Sequence, residues 1–266
     1  MQVLVTGAGG FIGSHIAKRA VESGHQVRGV VMPGEDISLL QGLGVEVVVG
    51  DLVDTKVARD AVQGCEVVLN ATGHAADYGR FNDFYRPNYL ATESVLKAAI
   101  DAGVRRFVHA SSYVVSLGGS FHYWRGGVIA EQTPDPPRFW RWDYYARTKI
   151  PVERVVLQAQ GRIETVPLRI GWVYGPRDRS SFPRLVDIVG SGRGMIFGDG
   201  RNRLGLTYVE DVADAFLRAA NPEAPSGQPY IVCGVADEHP ITQAEYLNAI
   251  ADLVGARRPR LRVPFR

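Results

Sequence analysis

Short apolar runs alternate with amphipathic stretches along most of the chain. Apolar runs of this length are typical of buried strands, whereas apolar residues that recur every three or four positions indicate helices. The pattern predicts strands at residues 1–6, 26–31, 45–49, 66–70, 106–110, 164–170 and 230–233. It predicts helices at residues 88–102, 144–158 and 209–216. Alternating buried strands and amphipathic helices predict an α/β fold with a doubly wound parallel sheet, covered by helices on both faces.

A glycine-rich turn connects the first predicted strand to a helix whose apolar face begins at Ile16. Gly7, Gly10 and Gly13 have the spacing G-x-x-G-x-x-G, and Ile12 stands where the commoner G-x-G-x-x-G pattern needs a glycine. Glycines let the backbone approach phosphates, and the free N–H groups at a helix N-terminus favour negative charge. An ordinary glycine-rich turn is the alternative. The position between a strand and a helix favours a dinucleotide-binding turn in a Rossmann-type fold.

Tyr145 and Lys149 lie four residues apart in the predicted helix 144–158, so their side chains share one face. An ammonium near a phenol favours the phenolate, which would lower the pKa of Tyr145 from about 10 and suit it for general acid/base work. Ser111 and Ser112 end the fifth predicted strand, where a hydroxyl could polarise a carbonyl oxygen. The Y-x-x-x-K spacing alone is weakly specific. Its combination with the glycine turn and the serine pair is far less likely to arise by chance.

These motifs together resemble those of the extended short-chain dehydrogenases/reductases, the NAD(P)-dependent epimerase/dehydratase and 3β-hydroxysteroid dehydrogenase-like group. The resemblance covers almost the whole chain and rests on T-G-A-G-G-F-I-G at 6–13, G-D-L at 50–52, N-A-T-G at 70–73, L-R-I-G-W-V-Y-G-P at 168–176 and Y-V-E-D-V-A at 208–213. The chain departs from the family pattern at Ala91, where N-x-x-G-T has glycine, and at Ile170, where L-R-P has proline.

The resemblance implies an NAD(P)-dependent enzyme and assigns roles to the matching residues. Tyr145 would exchange a proton with the substrate oxygen, Ser112 would hydrogen-bond that oxygen, and Lys149 would hold the nicotinamide ribose and tune Tyr145. The residues implied to line the cofactor are Gly7, Gly10, Phe11, Ile12, Gly13, Asp51, Leu52, Ala71, Thr72, Gly73, Asn88, Ser111, Tyr145, Lys149, Ile170 and Val173. The resemblance also implies a homodimer that uses the helices at 88–102 and 144–158.

The choice between NAD and NADP depends on the residues after the second strand. An acidic residue there binds the ribose 2′-hydroxyl of NAD, and a nearby arginine accommodates the 2′-phosphate of NADP. The chain has Val31 and Met32 at these positions. Glu35 and Asp36 follow closely, and their charges would repel a phosphate. NAD is therefore favoured, and NADP stays open.

Residues 116–143 are rich in glycine, proline and aromatic residues. A long segment without a regular pattern is typical of a lid or pocket wall, although the same aromatic rings could simply pack on the protein body. With Tyr113, Trp124 and Trp142 as pocket walls, the predicted substrate is a hydrophobic alcohol or ketone, such as a steroid, polyketide or terpenoid-like molecule.

Two other functions are weighed against this hypothesis. A nucleotide-sugar epimerase needs cations for the diphosphate of its substrate, and the chain offers Arg179, Arg184, Arg201 and Arg203. A non-catalytic NAD(P)-binding regulator would leave Ser112, Tyr145 and Lys149 without a purpose, which argues against it.

Length and composition set broader limits. At 266 residues, with 45% hydrophobic and 22% charged residues, the chain is long enough for one large or two interleaved globular domains. We expect an NAD(P)-binding domain at residues 1–169, joined again by about 207–234. A smaller substrate-binding subdomain is expected at residues 170–206 and 235–266.

Charge and cysteine content concern partners and location. A formal net charge of +2 is too close to neutral to indicate a nucleic-acid or membrane partner, so a small-molecule substrate is the expected partner. The two cysteines lie far apart and no histidine cluster accompanies them, so neither a disulfide nor a metal site is predicted. The first strand begins at residue 2 and leaves no room for a signal peptide, so a cytoplasmic protein is expected.

Overall fold

A computed structural model describes residues 1–76, 78–117, 130–133, 143–179, 181–234 and 240–264. The strands, in chain order, are β1 (Gln2–Thr6), β2 (Gln26–Val31), β3 (Glu46–Val49), β4 (Val67–Asn70), β5 (Arg106–Ser112), β6 (Glu164–Ile170), β7 (Trp172–Tyr174), β8 (Met195–Phe197), β9 (Leu206–Tyr208), β10 (Tyr230–Val232) and β11 (Leu261–Val263). The helices are α1 (Phe11–Glu22), α2 (Ser38–Gly42), α3 (Thr55–Val62), α4 (Phe81–Tyr85), α5 (Ala91–Asp101), α6 (Val114–Leu117), α7 (Tyr144–Gln158), α8 (Ser181–Gly190), α9 (Val209–Ala220) and α10 (Gln243–Leu253).

Seven parallel strands form the central sheet, in the order β10-β6-β5-β4-β1-β2-β3. Every residue of β4 and β5 is buried, as expected for central strands that carry helices on both faces. The order reverses between β1 and β4, because β1 pairs with β2 on one side and β4 on the other. Ligands of such sheets bind at this switch point, outside the carboxyl ends of the strands. The predicted Rossmann-type fold is confirmed.

The chain divides into two compact units, residues 1–170 with 210–232 and residues 171–209 with 233–266. In the first unit, Leu4, Val30, Val68 and Phe107 of the sheet belong to one buried cluster with apolar residues of α3, α5 and α7. The second unit has a smaller core around Val189, Ile196, Tyr246, Leu247 and Ile250. Each unit therefore has an apolar core of its own.

The helix predicted at residues 88–102 differs in the structure. An α-helix begins at Phe81, widens to a π-helical turn at Arg86–Leu90 and continues as α5. Pro87 has no amide hydrogen to donate to the carbonyl four residues earlier, which disfavours an unbroken α-helical ladder at this point. The turn buries Asn88 completely.

In the part of the chain that the structure describes, every helix is too short or too polar to span a bilayer.

Candidate active site

The turn after β1 and the first three residues of α1, together residues 7–13, form what is called here the phosphate loop. Gly7 has a φ of +62°, which a side chain would strain. A Cβ on Gly13 would lie 2.1 Å from the carbonyl oxygen of Gly7, so only glycine lets α1 pack this closely on the turn. Gly10 is the N-cap of α1 and offers no side chain to the first amides, and the first turn has no acidic residue. These amides are therefore available to an anion.

The strand ends beside the phosphate loop are joined by buried hydrogen bonds. The Thr6 hydroxyl donates to Asn70 Oδ1 at 2.6 Å, and Asn70 Nδ2 lies 2.9 Å from His109 Nδ1. The Thr72 amide donates to the Thr6 hydroxyl at 3.3 Å. The Thr72 hydroxyl is buried and has no hydrogen-bond partner among the described residues. A buried hydroxyl without a partner, next to a turn whose shape requires glycine, fits a polar ligand such as a dinucleotide.

Asp51 and Leu52 follow β3, on the side where the resemblance implies the adenine. Asp51 accepts a hydrogen bond from the Val53 amide at 2.9 Å and pairs with Arg86 Nη2 at 3.0 Å. The Leu52 side chain belongs to the buried core of the first unit, which leaves its backbone for a ligand.

Ser112, Tyr145 and Lys149 are brought together by β5 and α7. The Tyr145 hydroxyl is hydrogen-bonded to the Ser112 side chain. Lys149 Nζ lies 5.9 Å from the centre of the Tyr145 ring and donates to the Ala110 carbonyl at 2.9 Å. Asp143 caps α7 by accepting from the Ala146 amide at 2.9 Å, which fixes where the helix and its first turn begin. The three side chains predicted to be catalytic thus share one site.

The electrostatics of this group differ from the sequence-based expectation. The pKa of Tyr145 is raised above its ordinary value, because burial disfavours the phenolate more than the hydrogen bond from Ser112 favours it. Burial lowers the pKa of Lys149 to about 8, and the nearby Glu153 carboxylate works in the opposite direction. The expected lowering of the Tyr145 pKa by Lys149 is therefore wrong for the protein chain alone.

Asn88 holds the loop after β4 against α7. Its Oδ1 accepts from the His74 amide at 2.6 Å, and its Nδ2 donates to the His74 carbonyl at 3.1 Å and to the Thr148 hydroxyl at 3.0 Å. A Cβ on Gly73 would lie 3.0 Å from Asn88 Oδ1 and 3.2 Å from Lys149 Nζ. These bonds connect the loop after β4 to α7 through the Asn88 side chain.

Ser111, predicted to line the cofactor, directs its side chain to α7. Its hydroxyl is buried and hydrogen-bonds the Glu153 carboxylate. Glu153 in turn binds Arg169 Nη2 at 2.6 Å, and both side chains are buried. This pair was not predicted, although Glu153 follows Lys149 by four residues and so continues the Tyr145–Lys149 face of the helix.

Glu35 was predicted only as a nearby charge, and the structure places it against the phosphate loop. Its Oε2 accepts from the Met32 amide at 3.0 Å, and a Cβ on Gly9 would lie 2.5 Å from the same oxygen. Asp36 instead accepts from the Ser38 amide at 3.0 Å.

The other predicted site residues differ in their burial. Ala71 and Tyr113 are half-buried, and the Tyr113 amide donates to the carbonyl of the buried Ile170 at 3.1 Å. Val173 is half-buried in β7 of the second unit. Trp124 and Trp142 lie outside the described residues. The four arginines considered for a nucleotide sugar are exposed and belong to the second unit, namely Arg179, Arg184, Arg201 and Arg203.

Comparison with known families bears on this site. The model of the NAD dependent epimerase/dehydratase family matches residues 3–233. The chain belongs to this family. It is an enzyme of the extended short-chain dehydrogenase/reductase type, an NAD(P)-dependent oxidoreductase.

Individual members of the family cover the chain from end to end. A 2-alkyl-3-oxoalkanoate reductase of Stenotrophomonas maltophilia is 30% identical over 100% of this chain and 79% of its own length. A 3 beta-hydroxysteroid dehydrogenase/Delta 5→4-isomerase of Mycobacterium tuberculosis is 31% identical over 98% of this chain and 72% of its own. The solved structure of MoeE5 in complex with UDP-glucose and NAD superposes with a TM-score of 0.76 and 28% identity, over 100% of this chain and 86% of that one.

Proposed function

We propose that this enzyme reduces the ketone of a hydrophobic small molecule, with Tyr145 as the general acid. The observation that carries the proposal is the hydrogen-bonded pair of Ser112 and Tyr145 with Lys149 on the same helix face. The nicotinamide cofactor, when bound, supplies the hydride chemistry. The phosphate loop and the Thr72 hydroxyl are the groups we propose to hold it.

The proton chemistry follows from the protein side chains. Ser112 donates a hydrogen bond to the substrate oxygen and orients it towards the Tyr145 hydroxyl. Because the pKa of Tyr145 is raised, its hydroxyl stays protonated at neutral pH and can deliver a proton to a carbonyl oxygen. Reduction is therefore the favoured direction near neutrality. The reverse oxidation needs the phenolate and gains as the pH rises.

The substrate class is proposed from the relatives and from Tyr113. One relative is named for a 3-oxoalkanoate, a keto acid with alkyl chains, and another for a hydroxysteroid, so both names specify molecules with a large apolar part. Tyr113 directly follows Ser112 and offers a half-buried aromatic ring beside it. We propose Trp124 and Trp142 as further pocket walls, as their sequence position suggested.

A nucleotide-sugar epimerase is the second candidate, because the solved structure of MoeE5 is a complex with UDP-glucose. The deciding assay follows NADH oxidation with 2-alkyl-3-oxo acids and NADH formation from NAD with hydroxysteroids, and analyses products with UDP-sugars. Steady NADH oxidation with a bulky ketone supports our proposal. Conversion of a UDP-sugar without net change in NADH, and no turnover of any ketone, would replace it with the epimerase.

NAD is the proposed cofactor. The Glu35 carboxylate lies over Gly9 of the phosphate loop, four residues after the end of β2. A carboxylate in this region can bond the ribose 2′-hydroxyl of NAD and repels the 2′-phosphate of NADP.

We also propose a cytoplasmic homodimer, with α5 and α7 at its interface and with neither a nucleic-acid nor a membrane partner. Light scattering at micromolar concentration tests the dimer, and a monomeric mass would contradict it.

A further inference from the structure

Glu153 lies on the same face of α7 as the catalytic tyrosine and lysine. It follows Lys149 by four residues and Tyr145 by eight, which are helical repeats. Its side chain is 2% exposed, yet the proposed mechanism gives it no task. A carboxylate is costly to bury unless it is paired, so its position here calls for a functional or structural reason.

The pairing of Glu153 spans two strands. Arg169 of β6 approaches it with Nε at 3.1 Å and Nη2 at 2.6 Å, and Ser111 of β5 hydrogen-bonds it from the neighbouring strand. Ser111 and Arg169 are partners in the β5–β6 register. Arg169 Nη1 continues to the Ser116 hydroxyl at 2.9 Å. Glu153 is therefore the point where α7, β5 and β6 meet.

Three successive residues of β5 contact three successive turns of α7. Ala110 accepts from Lys149, Ser111 bonds Glu153, and Ser112 bonds Tyr145. Fixing Ser111 therefore also fixes the strand end that carries Ser112. We propose that Glu153 is a positioning residue of the active site, acting on Lys149 through its charge and on Ser112 through Ser111.

The charge effect depends on the groups around Lys149. Burial lowers the pKa of Lys149 to about 8, and Glu153 is the neighbour that raises it. His109 of β5 is held neutral, because burial and Lys149 both lower its pKa. The charged and titratable groups near this ammonium include Tyr145 and Glu153 on α7 and His109 on β5, and Arg169 lies behind Glu153. The neutral Asn88 amide lies on the other side, where Gly73 separates it from Lys149.

The inference rests on the proposed function and on the role that the family resemblance implies for Lys149, which binds the nicotinamide ribose as an ammonium. The experiment is a fluorescence titration of NADH binding between pH 6 and 10, which needs no turnover. We expect wild-type affinity to fall as the pH rises through about 8, where the buried lysine loses its proton. Glu153→Gln, which keeps an oxygen for Ser111, should move this midpoint down by about one pH unit and weaken binding at pH 8 by about five-fold.

Matched variants separate charge from structure. Glu153→Asp should restore the wild-type midpoint. Glu153→Gln with Arg169→Gln leaves no unpaired buried charge and should shift the midpoint in the same direction but less. Ser111→Ala should leave the midpoint unchanged while lowering kcat. Glu164→Gln is the control. Glu164 lies at the start of β6 and pairs with Arg106 of β5, so its replacement should change neither the midpoint nor kcat.

An unchanged midpoint in folded Glu153→Gln would overturn the proposal. A shift in Glu153→Asp as large as that in Glu153→Gln would also overturn it. So would failure of both Glu153→Gln and its combination with Arg169→Gln to fold, since either result would limit Glu153 and Arg169 to a structural role. If wild-type protein binds NADH but reduces no ketone, the proposed function fails while the NADH midpoints still decide the role of Glu153.

Discussion

At the scale of single residues, burial has opposite effects on the pKa values of Tyr145 and Lys149 in the candidate active site. It raises the pKa of Tyr145 and lowers that of Lys149, so it favours a neutral phenol and a neutral amine. The Tyr–Lys spacing predicted the residues and their shared face. It could not predict this balance, because desolvation depends on how the strands and helices close around the site.

Replacing Tyr145 with phenylalanine removes the proposed proton donor and keeps the ring. We expect kcat for ketone reduction to fall by about 10²–10⁴-fold, the usual contribution of general acid catalysis, with NADH affinity within about two-fold of wild type. The neighbouring Tyr144 packs against Phe81 and provides the matched control. Tyr144→Phe should keep near-normal turnover, and equal losses in both variants would remove Tyr145 from the mechanism.

The cofactor preference is also a property of one side chain. Glu35→Gln removes the charge over Gly9 while keeping the hydrogen bond to the Met32 amide. We expect its NADPH affinity to rise by about ten-fold relative to NADH, which corresponds to about 1.4 kcal/mol of lost repulsion. Asp36→Asn changes the neighbouring charge, whose carboxylate is directed to Ser38 instead. A larger change in Asp36→Asn, or tight NADPH binding by wild type, would contradict this role of Glu35.

At the scale of elements, long regular segments were predictable and short or irregular ones were not. Helix 144–158 and strand 164–170 have the predicted bounds, because each shows its apolar period over several repeats. The three-residue strands of the second unit were missed, since so few positions show no period. The π-helical turn at Arg86–Leu90 was missed because Pro87 indicates a break without indicating its geometry.

The phosphate loop depends on close packing of α1 against the turn after β1, which one added methyl group would disrupt. In Gly13→Ala the new Cβ would meet the Gly7 carbonyl oxygen 2.1 Å away, so α1 or the turn must move. We expect about 1–3 kcal/mol lower free energy of unfolding in urea, as for other overpacked sites, and at least ten-fold weaker NADH binding. Gly42→Ala is the control, because a Cβ at that position meets nothing within 4 Å. Unimpaired NADH binding by Gly13→Ala would exclude this turn as the phosphate site.

At the scale of the whole molecule, the active site draws on residues that are distant in the chain. The phosphate loop, the end of β5 and the helix α7 meet because parallel strands bring their carboxyl ends to one edge of the sheet. That placement was predictable from the alternation of strands and helices, because all strands of a parallel sheet end at the same edge. The buried network of Glu153, Ser111 and Arg169 was not, because no local pattern links a helix residue to a particular side chain on the sixth strand.

At Lys149, we expect burial of the ammonium to lower the stability of the folded protein, although the proposed function needs that charge. Its pKa is about 8 in the folded protein and about 10.5 when unfolded, so folding below pH 8 costs the burial of an ammonium. As the pH rises from 8 to 10.5 the folded state releases its proton first, and this cost disappears. Lys149→Met should thus raise the free energy of unfolding by about 1–3 kcal/mol at pH 7, less near pH 10, while abolishing turnover.

Urea unfolding at several pH values measures this effect, with Lys18→Met as the control. Lys18 forms an exposed pair with Glu22, so its replacement should change stability by less than about 0.5 kcal/mol at every pH. A Lys149→Met protein that is less stable than wild type at pH 7 would show that the bond from Lys149 to the Ala110 carbonyl outweighs the cost of burying its charge. The gain expected at neutral pH comes from removing a charge that folding buries and that the role proposed for Lys149 requires.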